Sequence, residues 1–128
     1  MISGRFGENG QLFFEIELIA SNGDNFSVEV LLDTGFTTGF LAINSQDLDA
    51  LDWSLIAPQI EMQTARGECF FDIYEGRVII DGQELIVLVH VGEDLPEILI
   101  GSQWLDRMQL VVNKPRGILT LETVSSEE

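Results

Sequence analysis

Cysteine, histidine and positive charge are all scarce in this 128-residue chain. Cys69 is the only cysteine, so no disulfide forms within the chain, and a reducing compartment suits it. One cysteine and one histidine, His90, argue against a Cys/His zinc site. Only 6 residues are Lys or Arg against 22 Asp or Glu, a net charge of −16. Such a surface repels nucleic acid and anionic membrane, so neither is an expected partner, and it keeps the chain soluble. Long apolar runs are missing as well. The stretch 12–20 is short and carries Glu15 and Glu17, so it does not read as a membrane span. The opening MISGRFGENG lacks the basic-then-apolar pattern of a signal peptide. The expected location is the cytoplasm.

What is present reads as one globular, mostly-β domain over 1–128, with a core from about 11 to 122 and a polar tail at 123–128. Hydrophobic residues make up 45% and aromatics 9%, enough to build a core at this length. QLFFEIELIA (11–20) alternates, with Leu12, Phe14, Ile16 and Leu18 on one face. SNGDN is turn chemistry, and FSVEVLLD (26–33) puts Phe26, Val28, Val30 and Leu32 on one face. The two form a hairpin that Asp33 closes. FLAI (40–43) is a short strand, Ser45 is placed to cap a brief helix through QDLDAL, and Pro58 marks a loop. Residues 61–91 read as two linked hairpins. One turns near Gly67; the other turns at Asp81-Gly82, a type I′ signal. The segment 85–91 is apolar on both faces, as a central strand is. EILIG (97–101) is a short strand, SQWLDRM (102–108) a helix with Ser102 as its cap, and QLVVN with GILTLE a last hairpin.

LLDTGFTTGFLAI (31–43) carries the chemistry. A strand runs into Asp33, Thr34 and Gly35 follow, and apolar sequence resumes. Asp-Thr-Gly on its own is an ordinary turn. Its setting says more, because EILIGSQWL lies downstream with two apolar residues and a glycine leading into a helix. A carboxylate held rigidly at a strand end, with glycines that let backbones approach, is what an aspartic protease site requires.

On these residues the chain resembles the retropepsin-like aspartic proteases, most nearly the bacterial and archaeal relatives with an Asp-Thr-Gly-Phe motif. LLDTG (31–35), TARGE (64–68) and ILIGSQWLDRMQLVVN (98–113) carry the resemblance, over roughly 11–122. It implies the acid-protease fold, a closed β-barrel with one or two short helices. It also implies an endopeptidase acting on peptides or unfolded protein without metal or cofactor. Asp33 would be the catalytic carboxylate, Thr34 would hydrogen-bond across a dimer, and Gly35 would keep the loop close-packed. Phe36 would border the cleft. Ala65, Arg66 and Gly67 would form the flap. Leu99, Ile100 and Gly101 would support the catalytic loop. One Asp-Thr-Gly per chain means that two copies, on a two-fold axis, would build the site.

Two departures bear on this reading. Phe36 replaces the small residue usual after Asp-Thr-Gly, and Ser102 follows Gly101 where retroviral enzymes carry an arginine. The rival reading is a peptide-binding or dimerisation module that keeps the scaffold with weak or no catalysis. Other residues read as structural: His90 in alternation with Ile86 and Leu88, Cys69 beside Phe70 and Phe71, and Trp53 and Trp104 as packing anchors. SNGDN and GEDLPE lack the ligand spacing of an EF-hand. Arg66, at the proposed flap tip, reads as a solvated charge or a contact to an acidic substrate or the partner chain.

Overall fold

The computed structural model describes residues 1–64 and 67–124. Strands dominate. They are β1 (Ile2–Ser3), β2 (Arg5–Phe6), β3 (Leu12–Ile19), β4 (Asn25–Asp33), β5 (Leu41–Asn44), β6 (Ser54–Thr64), β7 (Gly67–Ile80), β8 (Gln83–Gly92), β9 (Ile98–Gly101), β10 (Met108–Asn113) and β11 (Ile118–Thr123). Among the described residues the one α-helical turn, α1, is Leu48–Leu51, and 3-10 turns occupy 45–47, 102–106 and 114–116. No helix among the described residues is long and apolar enough to cross a membrane.

The expected β3–β4 hairpin forms, with Phe13 opposite Leu31 and Ile19 opposite Asn25. Asp81 and Gly82 both take positive φ, 51° and 76°, as a type I′ turn between β7 and β8 demands. β4, β9, β5, β8, β7 and β6 follow one another across the main sheet, with β3 and β2 beyond β4. β3 also pairs with β7, so the pairings run from β3 round to β7 and back to β3. A smaller sheet of β1, β11 and β10 holds the two ends of the described chain together.

The core follows from register. Leu32 lies opposite Ile100, Ile100 opposite Leu41, and Leu41 opposite Val89, and all four are buried. Phe14, Ile16 and Leu18 from β3 and Trp104 and Leu121 from the C-terminal part complete it. Trp53 and Trp104 are buried, and each indole N–H finds a backbone carbonyl, on Ile19 and Phe40, both at 2.8 Å. Two buried tryptophans thus tie distant segments without an unpaired donor.

Several local expectations change. Pro58 lies inside β6, not in a loop: the β6–β7 register shifts between Leu55 and Ala57 and again between Ala57 and Ile60. Bulges on an edge strand tolerate a residue with no N–H to give. Phe26 is 38% exposed, because it pairs with Leu18 beside the turn that closes the β3–β4 hairpin, at the edge of the core. β8 is central in the sheet order, yet Ile86 and Leu88 are 66% and 53% exposed, since no described element covers that stretch of the face. The 102–106 segment is a 3-10 turn whose cap position is Gly101, so Ser102 is not its cap. Asn44, not Ser45, precedes the turn into α1, and its N–H donates to the Asp47 carboxylate at 3.2 Å. β11 runs through Thr123, and Val124 N–H donates to the Arg107 carbonyl at 3.2 Å, so order extends into the segment read as tail.

Candidate active site

Asp33 is the last residue of β4, half-buried, and lies beside Gly101 in the parallel β4–β9 ladder. The chain turns immediately. Gly35 N–H donates to Asp33 Oδ1 at 2.9 Å, and Phe36 N–H donates to the Asp33 carbonyl at 3.0 Å. An aspartate accepting from the amide two residues on is a local turn that also fixes its own carboxylate. Oδ2 takes no hydrogen bond among the described residues. Thr34 is exposed.

The loop is locked from below by β9. Ser102 N–H donates to the Phe36 carbonyl at 3.0 Å, and Gly101 N–H to the Phe40 carbonyl at 3.1 Å. A Cβ on Gly101 would lie 2.0 Å from the Gly39 carbonyl oxygen and 2.6 Å from that of Phe36. Only a residue without a side chain lets the two backbones meet. Leu99 and Ile100 continue the support: Ile100 is buried in the core line, and Leu99, half-buried, lies between Leu31 and Ala42 in register.

Cross-strand partners share a face, and alternation carries that face along each strand. Asp33 therefore shares its face with Leu31 on β4, Leu99 on β9, Ala42 on β5 and His90 on β8. The loop returns over this face. The Phe36 ring, half-buried, meets the His90 imidazole edge-to-face at 5.1 Å and 89°.

The expected loop and its support thus come together, while the expected flap is only partly described. Gly67 begins β7 at φ +102°, a backbone that favours glycine. Ala65 and Arg66 lie outside the described residues. Four contributors were not anticipated: Gly39, Phe40, Asn44 and His90. The Gly39-Phe40 pair just past the loop was the one available signal for the first two. Asn44 holds the 93–97 loop, giving its amide to the Leu95 carbonyl at 2.9 Å and accepting Leu95 N–H at 2.7 Å.

No protein-family model matches the sequence, and no curated protein matches it. Solved structures do. The chain is similar to a retropepsin-like aspartic protease from Rickettsia conorii, with a TM-score of 0.68 and 20% identity over 98% of this chain and 92% of that one. It is also similar to the EIAV protease solved in complex with the inhibitor HBY-793, with a TM-score of 0.59 and 16% identity over 79% of this chain and 90% of that one. At such identities the likeness speaks for architecture, and the chain has the retropepsin-like fold.

Proposed function

We propose that this chain is an aspartic endopeptidase whose active site is made by the Asp33 carboxylates of two copies, related by a two-fold axis within a homodimer of closed, barrel-like domains. The observation that carries the reading is the state of Asp33. One carboxylate oxygen is fixed by the Gly35 amide and the other is left without a partner among the described residues. The whole loop is anchored on Gly101 by close backbone contact. A rigidly held carboxylate with one unengaged oxygen, at a strand end of a retropepsin-like fold, suits acid–base work on a water molecule.

The chemistry follows from two such groups placed together. Two close carboxylates do not both ionise readily, so the pair shares one proton. The ionised member takes a proton from water, and the resulting hydroxide adds to the peptide carbonyl carbon. The protonated member gives its proton to the carbonyl oxygen. Collapse of the tetrahedral adduct breaks the C–N bond, with a proton passing to the leaving nitrogen. No cofactor enters. Residues 65–67 would close over the bound peptide, and exposed Thr34 would reach the partner copy.

The test is a cleavage-site profile on a peptide library, run on wild type and Asp33→Asn, with a peptide carrying a non-cleavable hydroxyl-bearing isostere as inhibitor. The amide cannot act as base, so turnover falls by about 10²–10⁴-fold or more. The variant should keep its thermal midpoint within about 2 °C, since no core contact is lost. Equal turnover in the two proteins would remove Asp33 from the mechanism. Absence of turnover in both would leave a binding module.

A further inference from the structure

His90 is the only histidine in the chain and is 7% exposed. Its ring stands between two phenyl rings from different parts of the site. Phe36, from the loop after Asp33, meets it at 5.1 Å, and Phe71, on the β7 arm of the β6–β7 hairpin, meets it at 5.9 Å and 74°. Glycines make the room. A Cβ on Gly39 would lie 2.3 Å from the Phe36 ring and 2.8 Å from His90 Cε1, and one on Gly92 would lie 2.6 Å from the Phe71 ring. His90 Nδ1 is buried with no hydrogen-bond partner among the described residues.

We propose that His90 is a positioning residue for the Asp33 loop, holding Phe36 and the β7 arm of the β6–β7 hairpin together only while its imidazole is neutral. The neutral ring with its proton on Nε2 leaves at Nδ1 only a lone pair without a donor. Protonation places an N–H there with no acceptor, inside an apolar slot, and adds a charge that the slot cannot solvate.

No hydrogen bond or ion pair among the described residues compensates. On the ring's own face of the sheet the titratable or charged groups are Arg5 on β2, Glu15 and Glu17 on β3, Glu29 and Asp33 on β4, Cys69, Glu75 and Arg77 on β7, and Glu84 on β8; Glu68, Asp72 and Tyr74 lie on the opposite face of β7, and β5 and residues 34–40 carry none. Asp33 already accepts from Gly35, Asp72 from the Gln59 amide at 2.9 Å, and Glu84 from Arg77 at 2.7 Å. No ion pair joins His90 to any described residue. Burial accordingly holds the imidazole below its ordinary pKa. A ring that takes a proton more readily once released is a ring whose release is driven by acid. The window opens as pH falls below the ordinary imidazole value of about 6.5 and closes below the folded value.

The structural claim stands independently of catalysis; its consequence for turnover rests on the reading of Asp33 given above. The test is NMR on the intact protein. The His90 Cε1–H signal is the single imidazole signal, and the amide exchange of Phe36 and Ser102, corrected for intrinsic rates, reports the loop. The imidazole midpoint is expected below about 6.5, and amide protection should fall about tenfold per pH unit within the window. In His90→Leu and His90→Gln that step should vanish. Peptide turnover of these variants should lose the acid-side decline set by His90. A midpoint above the ordinary value, or loop protection unchanged through the imidazole titration, overturns the proposal even if neither variant folds. So does an acid step that persists in folded His90→Leu. Lack of peptide turnover at every pH would count against the protease reading alone, because the exchange data do not depend on it.

Discussion

Gly101 and Asp33 are register partners across the parallel β4–β9 ladder, and the Gly101 Cα faces the Gly39 carbonyl so closely that a Cβ would sit 2.0 Å from its oxygen. The neighbour is backbone, held in turn by hydrogen bonds from Ser102 to Phe36 and from Gly101 to Phe40. It has little freedom to give way.

Gly101→Ala should therefore push the 33–40 loop off β9. Overpacking of this kind costs about 1–3 kcal/mol, or more against rigid backbone. Denaturant unfolding should show the loss, and peptide turnover should fall by more than the fraction unfolded explains, since Asp33 moves with the loop. An alanine variant with wild-type stability and turnover would show that the loop is not fixed by this contact.

Asn44 offers a second, independent test. Its side chain acts as a strand edge for Leu95, with bonds of 2.9 and 2.7 Å that leave both backbone groups of that residue satisfied. Asn44→Ala strands a part-buried N–H and C=O, at about 1–3 kcal/mol. The amide of Leu95 should exchange faster than those of β8, and stability should drop. Asn44→Asp should restore the acceptor for Leu95 N–H but not the donor, so an intermediate loss is expected.

Asp81 links the ends of the described chain to the β7–β8 turn. Its carboxylate accepts from the α-ammonium of Met1, and its other oxygen from Thr123 N–H at 2.8 Å. The Met1 ammonium first, and then the Thr123 amide, hold its pKa down at about 2 from the ordinary 3.8. A carboxylate lowered on folding stabilises fully above its unfolded value and loses that contribution as pH falls towards the folded one. The stability gap between wild type and Asp81→Asn should be constant above pH ~5 and shrink between pH ~4 and ~2. Urea unfolding at pH ~5.5 and ~2.5 measures it. A gap independent of pH would show that the ion pair and amide bond do not favour the charged form.

The residues that read correctly from sequence are those whose signal is local. Asp33-Thr34-Gly35 closes an alternating strand, Asp81-Gly82 demands positive φ, and the apolar pair before Gly101 marks a strand that must end at a close approach. The misread residues depend on what lies across from them. Phe26 and Ile86 fit an alternating pattern, but alternation does not say how far along a strand its face is covered: Phe26 shares its face with buried Val30 and Leu32 yet lies beside the hairpin turn, and both Phe26 and Ile86 are exposed. β1 and β2 have two residues each, too few to show a period, and exist because β11 and β3 pair with them. Pro58 reads as a breaker because the bulges that accommodate it are a property of the β6–β7 ladder. His90 reads as a core residue, and it is buried; its link to Phe36 and Phe71 comes from residues 54 and 19 positions away, which no window along the chain contains.

Charge, assembly and pH give the last prediction. Each copy carries −16, so two carry −32 before any pKa shift. That field opposes association over the screening distance, roughly 8–10 Å at ordinary salt, and favours proton uptake by carboxylates near a two-fold axis. Lowering pH from neutral should therefore act twice. It reduces the repulsion between copies, and it supplies the single proton that a shared Asp33 pair needs. Salt should promote assembly at neutral pH but cannot provide the proton, so salt alone should raise the dimer fraction more than it raises turnover. Below mildly acidic pH two processes reverse the gain: His90 takes a proton, and the Asp33 pair takes its second. Turnover should thus peak on the acid side of neutrality and fall on both sides, and His90→Leu should widen the acid side only. Sedimentation and peptide turnover on the same samples, across pH and salt, separate the contributions. A fully active monomer, or turnover that peaks above neutral pH, would be incompatible with a dimeric Asp33 site.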